Sequence, residues 1–403
     1  MRLWDLSILW ALMTSSMIPA DLSQHGLSLP SMRIGTFNLE SFGSSHHKAA
    51  PFKERAAVLR PQLDRLKADV LCLQEVDASK VHGIRRTADL ERLLEGTPYS
   101  EHSLLVSPGP SGAELADVHN LAVLTRLPVI EEHVIRHTFV EPLSLRRHTA
   151  IPSDPVAVPL AWDRPLQHLV LALPTGGRLH VFNVHLRAPL AVAIPGQKSG
   201  PFAWKTVSGW AEGFFAAAVK RAGQALELRL AIERVIDAEA DALIAVCGDF
   251  NADDHDTALR LACAGEDDTG SGHLAPQVLT PVERALPEDR RFTVLHHGRP
   301  QMLDHILASR ALFAHFTNVE IHNEMLEDEL VAYGRIRHPP ESLHAPIVVT
   351  FDFARDFSAE PICSVSVPTL ECPLLAHNGH RSGRPACLVR GGKRRQPAHK
   401  RLR

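Results

Sequence analysis

The 403-residue chain has a formal net charge of −3, and 22% of its residues are charged. Its length would fill two or three average domains, and its near-neutral balance excludes a surface coated with positive potential that grips nucleic acid non-specifically. The six cysteines, at 72, 247, 263, 363, 372 and 387, show no CxxC spacing. They read as free thiols of a reducing compartment, with Cys72 and Cys247 in buried strands.

At the amino end, residues 3–13 are apolar but interrupted by Asp5, well short of the roughly 20 residues of a spanning helix. Residues 1–31 therefore read as a leader outside the domain: a weak secretory signal cut near Ala20, or an upstream start codon. A cytoplasmic protein is expected, secreted or periplasmic if that signal works. Residues 33–40 (Arg-Ile-Gly-Thr-Phe-Asn-Leu-Glu) form a short strand ending on the amide of Asn38 followed by the carboxylate of Glu40. Phe52, Ala56, Leu59, Leu63 and Leu66 then mark one face of a helix that Pro61 kinks or delays. Residues 68–76 are a buried strand closing on Gln74-Glu75.

Further on, residues 156–160, 166–173 and 179–185 read as consecutive strands, the last two joined by Pro174-Thr175-Gly176-Gly177. The third carries Asn183 and His185 on one face. Residues 189–210 look like an insertion, with Lys198, Lys205, Phe202, Trp204 and Trp210; such a mixture is either a loop packing its own aromatics or a contact for single-stranded nucleic acid or a lipid head group. A helix starting near Gly213 presents Ala225, Leu228, Ile232 and Val235. The apolar run 242–247 delivers Gly248-Asp249-Phe250-Asn251 at the carboxyl end of a strand, where α/β sheets place their chemistry. Residues 302–307, with Asp304, and 342–349, with His344, complete the series. Periodicity stops at Ala354; residues 378–403 hold nine Lys or Arg and no acid, a disordered basic tail.

The order Asn38, Gln74-Glu75, Asn183-x-His185, Gly248-Asp249-x-Asn251, Asp304, His344 resembles the endonuclease/exonuclease/phosphatase superfamily over residues 32–354. The resemblance implies an α/β fold: a four-layered sandwich of two packed mixed β-sheets with helices outside, as in deoxyribonucleases. It also implies a phosphodiesterase acting on nucleic acid by metal-assisted in-line attack of water. Glu75 with Asn38 would hold Mg²⁺ or Mn²⁺, hard cations that prefer oxygen ligands. Asp249 would activate the water with Asn251 steadying it; His344, oriented by Asp304, would face the phosphate; and His185 would serve the leaving oxygen. Arg164 resembles an arginine seen in bacterial members and is a candidate to grip phosphate. Arg187 is a second candidate, and a surface ion pair is the alternative for both.

Each residue also has a plain structural use: Asn38 and Asn183 as strand-end amides, Glu75 as a solvated carboxylate, Asp304 as a turn former. His46, His47, His255, His296, His297 and His305 read as surface or core histidines. Two departures stand out. Where the family has Ser-Asp-His, this chain has Ser342-Leu343-His344, which removes a carboxylate and leaves a catalytically silent binding module as an alternative. No equivalent of the active-site tyrosine of abasic-site endonucleases is found. The same site would also serve a phosphomonoesterase or a sphingomyelinase-like lipid phosphodiesterase.

Overall fold

The computed structural model of the protein describes residues 31–43, 50–201, 203–335 and 339–354. The leader, the basic tail, His46, His47 and Phe202 lie outside the described residues.

Two six-stranded mixed sheets carry the fold. In chain order their strands are β1 (Ser31–Phe42), β2 (Val70–Val76), β3 (Ser103–Val106), β4 (Asn120–Thr125), β5 (Val129–Ile135), β6 (Leu166–Ala172), β7 (Arg178–His185), β8 (Leu243–Asp249), β9 (Leu279–Pro281), β10 (Asp304–Ser309), β11 (Phe316–Ile321) and β12 (Ile347–Asp352). The first sheet has the order β11-β12-β1-β2-β4-β3 and the second β9-β10-β8-β7-β6-β5. Each sheet has one parallel pair at its centre, β1 with β2 and β7 with β8, among antiparallel neighbours. These central strands are buried on both faces, which is why they read as continuous apolar runs.

Between the sheets Ile34, Val70 and Cys72 of one meet Val181, Ala245 and Cys247 of the other in a single apolar core. Helix α1 (Phe52–Leu66) covers the outer face of the first sheet with Ala56, Leu59, Leu63 and Leu66. Helix α2 (Val207–Ala238) covers the second with Ala225, Leu228 and Ile232. The layers are thus helix, sheet, sheet, helix, the sandwich expected from the resemblance. Pro61 is accommodated inside α1 on its exposed side. Cys72, Cys247 and Cys263 are free and buried.

Three expectations need correction. Residues 156–160 supply a strand of only Val158–Pro159, because Pro155 and Pro159 have no N–H for a ladder. α2 begins at Val207, six residues before Gly213, with Thr206 capping it by accepting the Gly209 N–H. Ser342–His344 is loop rather than strand, since β12 starts at Ile347.

His305 is a core histidine. Both ring nitrogens face acceptors, Nδ1 at 2.5 Å from Glu283 Oε1 and Nε2 at 2.8 Å from the Ala252 carbonyl. Burial alone would lower its pKa, but Glu283 outweighs burial and raises it. The pair's stabilisation is therefore full below the unfolded imidazole value of about 6.5 and is lost as pH rises through the raised folded value. Removing one partner of such a buried pair costs about 3–5 kcal/mol. Urea unfolding should show Glu283→Ala less stable than wild type by a gap that is wider at about pH 6 than at about pH 9; a gap that does not change with pH would contradict the ionised pair.

Candidate active site

The two parallel pairs end at a common rim. Asn38 lies opposite Gln74 across β1 and β2, His185 opposite Asp249 across β7 and β8, and Asp304 opposite Asp249 across β8 and β10. The backbone turns sharply there: Glu40, Ser41, Glu75, His119 and Asn251 all adopt positive φ, local strain of the kind that collects at functional sites. Gly248 has φ +148, and a Cβ on it would stand 1.9 Å from the Val184 carbonyl oxygen. Only glycine lets β8 run this close to β7 while delivering Asp249.

Asp249 is the hub. Its Oδ2 accepts from Asn38 Nδ2 at 3.0 Å and from Asn251 Nδ2 at 3.2 Å, and lies 3.4 Å from His185 Nε2. Its Oδ1 accepts the Asn251 N–H at 2.8 Å. Glu75 Oε2 accepts from the Ser41 N–H at 3.0 Å and lies 3.4 Å from His119 Nδ1, while Oε1 is 3.7 Å from His185 Nε2. Asn38 gives Glu75 Oε1 a long hydrogen bond of 3.5 Å. Its amide oxygen accepts the Glu40 N–H at 2.9 Å, so the nitrogen, not the oxygen, faces the carboxylates. His344 Nδ1 pairs with Asp304 Oδ2 at 2.8 Å, and Ser342 Oγ ties the His344 loop to β1 by donating to the Asn38 carbonyl at 2.7 Å.

Burial sharpens these charges. Asn38, His185, Asp249 and Asp304 are each 1% exposed. Burial, then the neighbouring Asp304 carboxylate, pushes the Asp249 carboxyl up, to about 7. Burial also acts to raise Glu75, but His119, His185 and Arg164 outweigh it and hold the carboxyl well below its ordinary range. His185 is lowered well below the ordinary imidazole value by burial and then by Arg164. For His344 burial acts downward and the Asp304 carboxylate overrides it, holding the ring well above its ordinary value. The site therefore pairs a neutral imidazole, His185, with a charged one, His344, across a carboxyl poised to take a proton.

The two arginines separate. Arg164 is buried within the field of the Glu75, Asp249 and Asp163 carboxylates, and its buried Nη1 has no hydrogen-bond partner among the described residues. Arg187 is engaged elsewhere: Nη1 lies 3.3 Å from Asp163 and Nη2 donates to the Leu190 carbonyl at 2.9 Å. Asn183 has a structural use, accepting from Gln74 and donating to the carbonyls of Leu73 and Ala122, which bridges the sheets. Oxygen donors suited to a hard cation line the rim. Ligand atoms of Asp249, Asp304 and His344 lie within 4.8 Å of one another, though two of those three already form the 2.8 Å His344–Asp304 pair.

Two site residues, Tyr333 and His119, escaped the sequence reading, and Glu40 entered it only as the carboxylate that follows Asn38. Glu40 Oε2 accepts the Leu343 N–H at 2.7 Å, so a carboxylate adjoins position 343 although Leu343 is itself 2% exposed core. Tyr333, on helix α3 (Glu329–Arg335), donates its hydroxyl to Glu40 Oε1 and brings a tyrosine to the rim. His119 stands beside Glu75 just before β4. Glu40 was visible two residues after Asn38; Tyr333 and His119 had no motif around them.

Asp304→Asn should bring the His344 pKa down toward its ordinary value, because the charged partner contributes most of the upward pull. An NMR titration of the His344 ring protons reads this. A titration midpoint left where it was would mean that Asp249 and Glu40, not Asp304, hold the charge.

The family model of the endonuclease/exonuclease/phosphatase family matches residues 35–324. No curated protein matches the chain. Among solved structures, truncated TDP2 of Caenorhabditis elegans is similar at 14% identity and TM-score 0.46, covering 80% of this chain and 97% of that one. A family protein of Leptotrichia buccalis C-1013-b aligns at 16% identity and TM-score 0.45, covering 80% and 100%. The human Nocturnin catalytic domain with bound sulfate aligns at 15% and 0.43, covering 80% and 94%. With the family model spanning residues 35–324 of 403, the chain belongs to the endonuclease/exonuclease/phosphatase family, metal-dependent hydrolases of phosphoester bonds.

Proposed function

We propose that the protein is a Mg²⁺-dependent phosphodiesterase that cleaves nucleic acid by in-line attack of water, without a covalent enzyme intermediate. The observation that carries this reading is the convergence of Glu75, His185, Asp249 and the Asp304–His344 pair at the ends of two parallel strand pairs from opposite sheets. Asp249, with its raised carboxyl, orients the water and takes its proton; Asn251 holds Asp249 and faces the same oxygens. His344, charged and fixed by Asp304, donates to a phosphate oxygen. His185, kept neutral by burial, donates an N–H to the leaving oxygen as charge develops. Arg164 offers its free Nη1 to the phosphate. Glu75 would hold the cation, with Asn38 orienting both Glu75 and Asp249 through its N–H₂; the bound ion would neutralise charge on the phosphate. The buried crowd of Glu75, Asp249 and Asp304 suits such an ion, because a divalent cation would offset both the burial that chiefly raises Asp249 and the repulsion from Asp304 and Glu75 that adds to it.

A lipid phosphodiester is the second reading, favoured by the exposed aromatic start of α2. The Glu40 carboxylate beside Leu343 weighs against a silent binding module. Hydrolysis of bis-p-nitrophenyl phosphate, p-nitrophenyl phosphate, single-stranded DNA, plasmid and phospholipid should be compared with Mg²⁺ and with EDTA. Turnover of DNA is expected and should vanish in EDTA; turnover only of monoester or lipid, or none, overturns the substrate assignment. Asp249→Asn and His344→Ala should each lower turnover by about a hundredfold or more, whereas Glu75→Gln should chiefly move the Mg²⁺ titration to higher concentration. Folded variants with wild-type rates would remove these residues from the reaction.

A further inference from the structure

Three histidines stand together on the outer face of the second sheet, away from the rim. His133 of β5 lies directly opposite His168 of β6, and His180 of β7 is diagonal to His168, in the next pair on the same face. Their rings stack, His133 with His168 at 5.4 Å and His168 with His180 at 5.3 Å, and the Phe182 ring lies parallel to His168 at 4.1 Å. His168 Nε2 and His180 Nδ1 face one another at 3.1 Å, and both residues are buried. The other ring nitrogen of His180, Nε2, is also buried; it lies 3.7 Å from Glu239 Oε2 and has no hydrogen-bond partner among the described residues. A cavity of about 580 Å³ opens onto the cluster, and its lining includes the three histidines with Glu131, Arg234 and Glu239.

Packing alone does not explain these rings, since apolar side chains against Phe182 would fill the space without taking ring nitrogens out of water. Burial, then His180 and His133, pushes His168 down to about 3, and burial lowers His180 as well. Both rings are therefore neutral near pH 7, each with a lone pair on one nitrogen. Neutral imidazoles bind borderline cations such as Zn²⁺, whereas Mg²⁺ keeps to oxygen donors. Two zinc–nitrogen bonds of about 2.0–2.1 Å at a tetrahedral angle set their nitrogens about 3.3 Å apart, close to the 3.1 Å between these rings. A hydrogen bond from one ring to the other would use the same two atoms but would leave His180 Nε2 idle. A bound cation makes that N–H more acidic and draws the Glu239 carboxylate to it, the usual support of a metal-binding histidine. Among the described residues only Asp249, Asp304 and His344 already bring three ligand atoms within 4.8 Å of one another, so a third donor has to turn in here. His133 and Glu131, paired with each other at 2.9 Å and half-exposed, line the same cavity and are free to do so.

We propose that His168 Nε2 and His180 Nδ1 form the fixed half of a Zn²⁺ site, completed by His133 or Glu131 and by water from the cavity. Glu239 orients His180 by accepting its Nε2–H. The site ties the edge strand β5 to β6 and β7 beside the end of α2, so the ion acts as a clamp on this corner of the fold. It stands apart from the substrate assignment: His180 lies roughly 16 Å along β7 from His185 and on the opposite face, and no residue of the active site is used.

Calorimetric titration of the metal-free full chain with Zn²⁺, in excess Mg²⁺ to occupy the rim, tests this together with anomalous diffraction at the zinc edge. Wild type should bind Zn²⁺ with a micromolar or tighter Kd, show a peak within coordination distance of both rings, and gain Tm on binding. His180→Gln should abolish the peak and the gain in Tm. Glu239→Gln, at a half-exposed carboxylate, should weaken binding about tenfold or more. Both variants should keep the wild-type circular dichroism and the wild-type rate on a soluble diester with Mg²⁺. No peak between the two rings, a peak there only at millimolar Zn²⁺, or a titration and Tm gain unchanged in both variants would overturn the proposal. If His180→Gln fails to fold, the wild-type peak and the Glu239→Gln titration decide.

Discussion

A carboxylate taken out of water needs donors on every side, and at Asp249 those donors come from both halves of the sandwich. Asn38 donates to it from the first sheet and Asn251 from the second, with His185 Nε2 standing 3.4 Å away. Much of the architecture follows from that requirement. β7 and β8 must approach closely enough that only glycine fits at 248, and the inter-sheet core must hold the two parallel pairs so that their ends meet. The Gln74–Asn183 bond, 2.8 Å long and buried, joins the sheets just beneath the rim. Packing and chemistry therefore share one layer of polar contacts, and a change in the first would be felt in the second.

Burial has a second effect on the site. It drives the two imidazoles apart in character: His185, enclosed near Arg164, stays neutral, while His344, paired with Asp304, stays charged. One ring is suited to donating a neutral N–H and the other to fixing an anion, although the sequence names both residues only as histidines. The arginines divide in the same way. Arg164 has no ion pair among the described residues and lies within the field of Glu75 and Asp249, whereas Arg187 pairs with Asp163.

The strand-end motifs were legible because buried central strands leave continuous apolar runs, and the polar residue that stops each run marks the rim. Asn38, Glu75, His185 and Asp249 stand at or near the ends of such runs, whereas Asp304 and His344 precede theirs and were picked out by the order of motifs in the family resemblance. Contacts between residues far apart in the chain were not legible. Nothing near Leu343 announces that Glu40, some three hundred residues earlier, will accept its N–H, and nothing near Tyr333 announces that its hydroxyl will reach the same carboxylate. The start of α2 was hidden for a local reason: Gly209 and Gly213 disfavour helix by propensity, and only the close approach of the loop to them explains their presence. The direction of the Asn38 amide was likewise beyond the sequence, since it depends on the turn that brings the Glu40 N–H onto its oxygen.

The proposed cation lies at the meeting point of the two parallel strand pairs, with Glu75 as its carboxylate. Anomalous diffraction from a crystal soaked in Mn²⁺ tests this directly. A peak within coordination distance of Glu75, on the side facing Asp249 and His344, is the predicted result. A peak confined to Asp304 and His344 with none at Glu75, or no peak at this rim while the crystal binds Mn²⁺ elsewhere, would contradict it.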